Sequence, residues 1–312
     1  ALLLESGQDA LLARLHLMRA AQDTIELQSY IFAEDDAGFL VLDELIAAAR
    51  RGVRVRVLLD QLFSVDDVRL LAWLARAHVN FEMRLYNPTF GEARTQPIEF
   101  VAGIVCCFFR FNQRMHNKLF LVDGRVGITG GRNYQNRYYD WDASFNYRDR
   151  DVLIAGPEVR RMRESFEHFW VHRKSIPIAA LRDVQPYVDA QSSPPESRTA
   201  PRLGRAVQML DLSAQADNAD LIERRLARRA LAVGRVDFLS DVPNKPFEPD
   251  AAERDLIREL EQLLRGARER VILQTPYLVI SRSARRVFRD LQERESPPRI
   301  VVSTNSLAAT DA

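Results

Sequence analysis

"RMHNKLFLVDGRVGITGGRN", residues 114–133, decides how this chain is read. Of its 44 basic residues only 3 are lysines, Lys118, Lys174 and Lys245, and the first stands two positions after His116. Met115 to Val122 has strand composition, and residues two apart on a strand share a face, so the pattern predicts an imidazole and an ammonium side by side. Asp123-Gly124 predicts a tight hairpin turn and Arg125 to Thr129 the returning strand. Gly130-Gly131 allows close backbone approach, and Asn133 adds an amide donor. These groups suit a phosphodiester. A neutral imidazole attacks phosphorus, lysine offers a mobile positive charge to the non-bridging oxygens, and amide donors stabilise charge that builds in the transition state. Asp149 and Asp151 in "YRDRDVLIAG" alternate on the next predicted strand and are the candidates for holding the histidine in one tautomer. Singly, each residue has a plain structural reading: a strand histidine, a turn aspartate, a glycine loop, two acids pairing with Arg148 and Arg150. The joint spacing H-x-K-x4-D-x6-G-G-x-N is what carries specificity.

Around this stretch the chain reads as an α/β layer fold. Helices are predicted at Gln8 to Ala21, Phe39 to Arg51 with Gly52 as its stop, Val68 to Ala77 and Glu158 to Trp170. Strands are predicted in "DTIELQSYIF" and "VRVRVLLD". The longest apolar run, "FVAGIVCCFF" from Phe100 to Phe109, is too short to span a bilayer and reads as a buried strand or core segment, with a lipid-facing loop as the functional alternative. No transmembrane helix is expected. A length of 312 residues allows one large or two ordinary domains, and a net charge of +1 exerts no global pull on nucleic acid or anionic membrane. Cys106 and Cys107 are adjacent, so they staple no distant parts of the fold, which fits a reducing compartment. Residues 185–205, rich in Pro, Ser and Gln, read as a surface linker. Arg224, Arg225, Arg228 and Arg229 read as a solvated helix face, with an anionic-headgroup patch as the alternative.

Past the linker the opening pattern returns. Asp250 to Leu264 predicts a helix with Asp250 as N-cap and Gly266 as stop. "ARERVILQTPYL", from Ala267, matches "AQDTIELQSYIF", from Ala21, at a constant offset of 246 residues. "RIVVSTN" then lies opposite "RVRVLLD", one residue closer. This order of like elements predicts a duplicated unit. The expected division is 1–178 for a first unit, 179–245 for a linker and crossing region, and 246–312 for the start of a second unit. A second-unit counterpart of His116 falls beyond Ala312, so the second unit is expected to be incomplete here. "HRK", His172 to Lys174, imitates H-x-K but has Ala179 where the acid should stand, and is set aside.

The spacing of His116, Lys118, Asp123, Gly130, Gly131 and Asn133 resembles the signature of the phospholipase D superfamily. "LQSYIF", "AARRGVRVRVLLD", "LQTPYLVIS" and "TNSLAATDA" look like stretches of bacterial cardiolipin synthases and related lipid enzymes. The resemblance implies two mixed-sheet α/β units flanked by helices, each lending one motif to a shared site, and no metal or cofactor. It implies that His116 is a catalytic histidine, most simply the nucleophile, and that Lys118, Gly130, Gly131 and Asn133 bind phosphate. Asp149 would orient the histidine, and Asp123 is a motif member of mainly structural role. The implied activity is phosphatidyl transfer from a phospholipid such as phosphatidylglycerol to an alcohol or water, with peripheral membrane contact at a cytoplasmic or membrane-associated location. The alternatives are a nuclease or other phosphodiesterase of the same superfamily, disfavoured by the balanced charge, and a catalytically incomplete fragment. Only one motif is present, so the site needs the rest of the second unit or a second chain. Phe108, Phe109, Phe111, Tyr134, Tyr138, Tyr139 and Trp141 suit acyl chains or a core equally.

Overall fold

A computed structural model describes residues 1–190, 203–234, 236–243, 251–275, 278 and 280–304. The chain forms two compact units, Ala1–Phe247 and Glu248–Ala312.

In the first unit a strand β1 (Leu2–Leu4) precedes α1 (Gly7–Ala20), β2 (Thr24–Ile31), α2 (Asp36–Arg50), β3 (Arg54–Phe63), α3 (Val68–Leu74) and β4 (Phe81–Tyr86). Then come α4 (Pro97–Cys106), α5 (Phe108–Phe111), β5 (Leu119–Val122), β6 (Val126–Gly130), β7 (Asp151–Ala155), α6 (Val159–Trp170), β8 (Ser175–Pro177) and α7 (Gln185–Asp189). Eight strands form one mixed sheet in the order β1-β7-β6-β5-β2-β3-β4-β8. β2, β3 and β4 run parallel, while β5 lies antiparallel to β2 with Gln28 opposite Leu119.

Alternation along the strands builds a core on each face of the sheet. Ile25, Leu27, Val55, Val57, Leu59, Phe120 and Val122 pack in one core with α1 and α2. Leu58, Leu119 and Leu121 point the other way, onto Met162, Phe166 and Trp170 of α6. The helices start and stop where local chemistry asks. The Ser6 side chain accepts the N–H of Asp9, Asp35 that of Gly38 and Asp67 those of Arg69 and Leu70. Gly52, at φ 103, ends α2 in a conformation only glycine adopts without strain.

Two stretches depart from the sequence reading. The apolar run at Phe100–Phe109 is neither a strand nor buried: it is the helix pair α4 and α5, and most of its large side chains face outward. Pro97 sits in the first turn and Glu99 accepts the Gln96 N–H, signals that start a helix. Cys106 and Cys107 are bonded to each other and join no distant parts. Residues 185–205 hold regular structure at both ends: α7 covers Gln185–Asp189, and α8 (Leu203–Asp217) begins at Leu203, while 191–202 lie outside the described residues. Met209, Leu212 and Ala216 pack α8 into the core that holds α1, and the Arg19 guanidinium donates to the Ser213 carbonyl at 2.7 Å. After α9 (Ala219–Arg225), three of the four arginines of the cluster are in ion pairs. Arg225 and Arg229 pair with Asp9, and Arg228 with Glu223.

The second unit contains α10 (Ala251–Gly266), β9 (Arg270–Gln274), α11 (Arg282–Gln292) and β10 (Arg299–Ser303). β9 and β10 are parallel, with Arg270 opposite Arg299, just as Thr24 of β2 stands opposite Arg54 of β3. Thus the offset read from the sequence relates strand to strand. The expected N-cap Asp250 and the tail "NSLAATDA" lie outside the described residues.

Candidate active site

The parallel strands β2, β3 and β4 deliver their carboxyl ends to one edge of the sheet, where open α/β sheets present ligand sites. Tyr30, Asp60 and Asn87 stand at or just past these ends. The antiparallel β5 starts from the same edge, so the residues entering it, 114–118, are brought there too.

Those residues are not in the strand that the sequence predicts. β5 begins at Leu119, and 112–118 are irregular. The reason lies in where the backbone bonds go. The Met115 N–H donates to Oδ2 of buried Asp60 at 2.8 Å, and the Lys118 carbonyl accepts the Thr129 hydroxyl at 3.0 Å. Asp60 also pairs with Arg114 at 3.2 Å and accepts the Leu62 N–H at 3.0 Å. Arg114 in turn donates to the Asn87 carbonyl at 2.8 Å. This buried clamp sets the direction in which the chain enters β5.

His116 and Lys118 nevertheless meet. Nζ of Lys118 lies 3.4 Å from Nδ1 of His116 and donates to the His116 carbonyl at 2.9 Å. The Tyr30 ring packs on the imidazole with centroids 4.6 Å apart, and the Lys118 ammonium lies 5.7 Å from the same ring centre. Burial, then the Lys118 charge, pushes the His116 pKa down to about 4, while Asp241 opposes the shift. Burial pushes Lys118 down to about 8, opposed by Asp149 and Asp151. At neutral pH the imidazole is therefore neutral and the amine still mostly charged. Tyr30, raised to about 12 by burial first and by Asp60 second, keeps its phenolic proton.

The remaining predicted residues divide. Gly130 and Gly131 make room for acids: a Cβ at 131 would lie 2.2 Å from Oδ1 of Asp149, and one at 130 the same 2.2 Å from Oδ1 of Asp151. Asp149 precedes β7 instead of lying in it, and burial raises its pKa. Asp151 opens β7 and is consumed by a buried cluster, 2.9 Å from Arg14 and 3.6 Å from Arg132. Asn133 is buried: its Oδ1 accepts the Ile31 N–H at 3.0 Å and its Nδ2 donates to the Tyr138 hydroxyl at 2.9 Å. Its amide oxygen braces the end of β2, and one of its two amide hydrogens goes to Tyr138. Asp123, placed among the catalytic set by sequence, sits at the opposite end of β5, about 17 Å of strand from Lys118. There its carboxylate accepts the N–H groups of Asp23 and Thr24 at 2.8 and 2.9 Å and locks the hairpin turn to the start of β2. Of the aromatics, Phe111, Tyr134, Tyr139 and Trp141 belong to the interior, whereas Phe108 and Phe109 face outward. Lys174 of the imitation motif is bonded to the Gln113 side chain.

Sequence reasoning missed Tyr30, Asp60, Arg114 and Asp241. Tyr30 and Asp60 had a signal: each is a polar-tipped residue toward the carboxyl end of a parallel strand. Asp241 had none, since the Asn117 amide reaches its carbonyl, at 3.3 Å, only across 124 residues of chain. No group of three or more His, Cys, Asp or Glu side chains fit to hold a metal ion occurs among the described residues.

Comparison with known proteins accords with this geometry. A protein family described as "Cardiolipin synthase, PLD-like domain" matches residues 15–170, which hold every residue of the motif. The chain is 32% identical over 326 residues to cardiolipin synthase C of Escherichia coli (strain K12), covering 99% of this chain and 63% of that protein. It is 31% identical over 322 residues to an uncharacterized protein of Helicobacter pylori, covering 100% of this chain and 60% of that one. The chain therefore spans about three fifths of the length of these curated relatives. The crystal structure of phosphatidylserine synthase from Haemophilus influenzae Rd KW20 shares the fold, with a TM-score of 0.59 and 16% identity over 99% of this chain and 62% of that one. A histidine and lysine held together at the carboxyl edge of a mixed sheet, inside a matching sequence family, settle the affiliation: the chain belongs to the cardiolipin synthase, PLD-like domain family.

Proposed function

We propose that this chain carries one half of the site of a phosphodiester-transferring phospholipid enzyme of the cardiolipin synthase type, working on lipid presented at a membrane surface. The observation that carries the reading is the neutral His116 imidazole beside the charged Lys118 ammonium at an open sheet edge. A ring nitrogen of His116 forms a bond to phosphorus while the phosphorus–oxygen bond to the leaving alcohol breaks. That alcohol departs with a proton from a general acid, the role left for the histidine of a second H-x-K-x4-D motif that these 312 residues do not contain. An acceptor hydroxyl then attacks phosphorus, its proton passes to the acid's conjugate base, and the phosphorus–nitrogen bond breaks to free the imidazole. Lys118 balances the charge of the non-bridging oxygens throughout. Asp149, behind Gly131, keeps negative charge near Lys118 and holds the ammonium form. A phosphatidylglycerol-like lipid is the donor, and an alcohol or water accepts the phosphatidyl group.

The test is trapping in alkaline detergent with phosphatidylglycerol radiolabelled at phosphorus. The full protein should yield an acid-labile, base-stable phosphoprotein adduct that His116→Ala abolishes while circular dichroism stays unchanged. A persistent adduct in His116→Ala would remove His116 from the nucleophile's part. Cleavage of single-stranded DNA with no action on lipid would replace the substrate class.

A further inference from the structure

The helix pair α4–α5 is built inside out. On its inner side stand small residues: Gly103 is buried so tightly that a Cβ there would lie 2.6 Å from the Phe111 ring. On its outer side stand large ones, with Ile98 76% exposed, Val101 60%, Val105 81% and Phe109 63%. Soluble surfaces rarely gather so many exposed apolar side chains in one place.

Three observations say what covers this face. The first is position. Asn87, at the site's edge, donates to the carbonyls of both Arg110 and Gln113, so α5 is tethered where the chain turns toward His116. Gln61 holds the approach to α4, donating to the Ala93 carbonyl and the Thr95 hydroxyl at 2.7 Å. Half-exposed Phe63 touches the Tyr30 ring, which touches His116. The second is charge. Residues 94–110 hold Arg94 and Arg110 against one acid, Glu99, which is turned back to cap the Gln96 N–H. The third is length: α4 has ten residues, about 15 Å of helix, half of what a bilayer core requires. Such a helix lies in the interface plane with its apolar side among acyl chains and its arginines among anionic headgroups.

We propose that α4–α5 is the surface by which this protein docks on an anionic lipid bilayer, holding His116 at the level of the lipid phosphates. The inference rests on the phospholipid reading above and adds the place of contact. Val105→Asp with Phe109→Asp in the active protein, with its second motif supplied, tests it, both side chains being apolar and mostly exposed. Co-flotation with phosphatidylglycerol/phosphatidylcholine vesicles should fall at least about tenfold, while turnover of a monomeric short-chain phosphatidylglycerol stays within about twofold. Unchanged flotation overturns the proposal. So does a wild-type dimer, seen by sedimentation velocity, that the double variant dissociates without losing vesicles, since a second copy then covers the face. Should the double variant fail to fold, Phe109→Trp decides instead: its emission should shift blue on vesicles and be quenched by brominated lipid, and an unshifted spectrum overturns the proposal. Vesicle binding without turnover of the short-chain lipid by the unsubstituted protein would refute the enzymatic reading and leave the docking surface standing.

Discussion

His116 and Lys118 divide the work of charge by being close. Burial lowers the proton affinity of both, and the Lys118 charge lowers that of His116 further, so one is neutral and one charged at the same pH. For the active protein, kcat/KM on a soluble lipid should rise with pH through about 4, as His116 loses its proton, and fall through about 8, as Lys118 loses its own. In Lys118→Arg the basic limb should disappear, because a guanidinium stays charged throughout this range, while the plateau drops as the compact ammonium is lost. Asp123 makes the opposite case. Its carboxylate accepts backbone N–H groups far from the histidine, and those bonds hold its pKa below the usual range despite some burial. Asp123→Ala should therefore cost about 2 kcal/mol in urea denaturation and leave the histidine's acid limb where it was. The stabilising part is present above the unfolded carboxyl value and is lost as pH falls through the lower folded one.

At the scale of elements, the hairpin β5–β6 and the clamp beneath it do the positioning. Asp123 and Gly124 both take positive φ, 52° and 60°, as a two-residue turn of this hand requires. At the other end of β6, Gly130 is the point where β7 comes nearest: a Cβ would lie 2.4 Å from the Arg150 carbonyl and 2.6 Å from the Asp151 Cα. Backbone cannot move aside as a side chain can. Gly130→Ala should destabilise the fold by about 2 kcal/mol through overpacking, measured by thermal melting. Gly131→Ala meets the Asp149 carboxylate first, a movable group, and should cost less. Asp60 is the element-level surprise. A buried carboxylate at the end of β3 takes the Met115 N–H that a strand ladder would otherwise use, and thereby bends the motif out of β5.

At the scale of the molecule, the second unit repeats the α/β order and the parallel pairing of the first, as α10, β9, α11 and β10 follow α1, β2, α2 and β3. Only the first carries an H-x-K-x4-D motif within these 312 residues, and Lys174 of the near-match H-x-K is tied to Gln113. Purified residues 1–312 should accordingly show no sustained phospholipid turnover, because the leaving alcohol lacks its proton donor. Robust turnover by a monomer, verified by sedimentation, would mean that a group within the first unit serves as the acid.

The α/β class, the chief helices, the Asp123-Gly124 turn and the pairing of His116 with Lys118 were all legible in residue order, because each rests on contacts a few residues apart or on strand and helix periods. The 246-residue offset was legible too, since it repeats a pattern. Local order could not tell which way an apolar segment faces. "FVAGIVCCFF" is hydrophobic enough for a core, yet the sheet is already covered on both faces by α1, α2 and α6, which leaves α4–α5 on the rim. Nor could it show that Asn133 spends its amide oxygen on Ile31, or that Asp60 and Asp241 reach the neighbourhood of His116. Those pairings join residues tens to more than a hundred positions apart, and only the assembled sheet, with its strands in one particular order, brings them together.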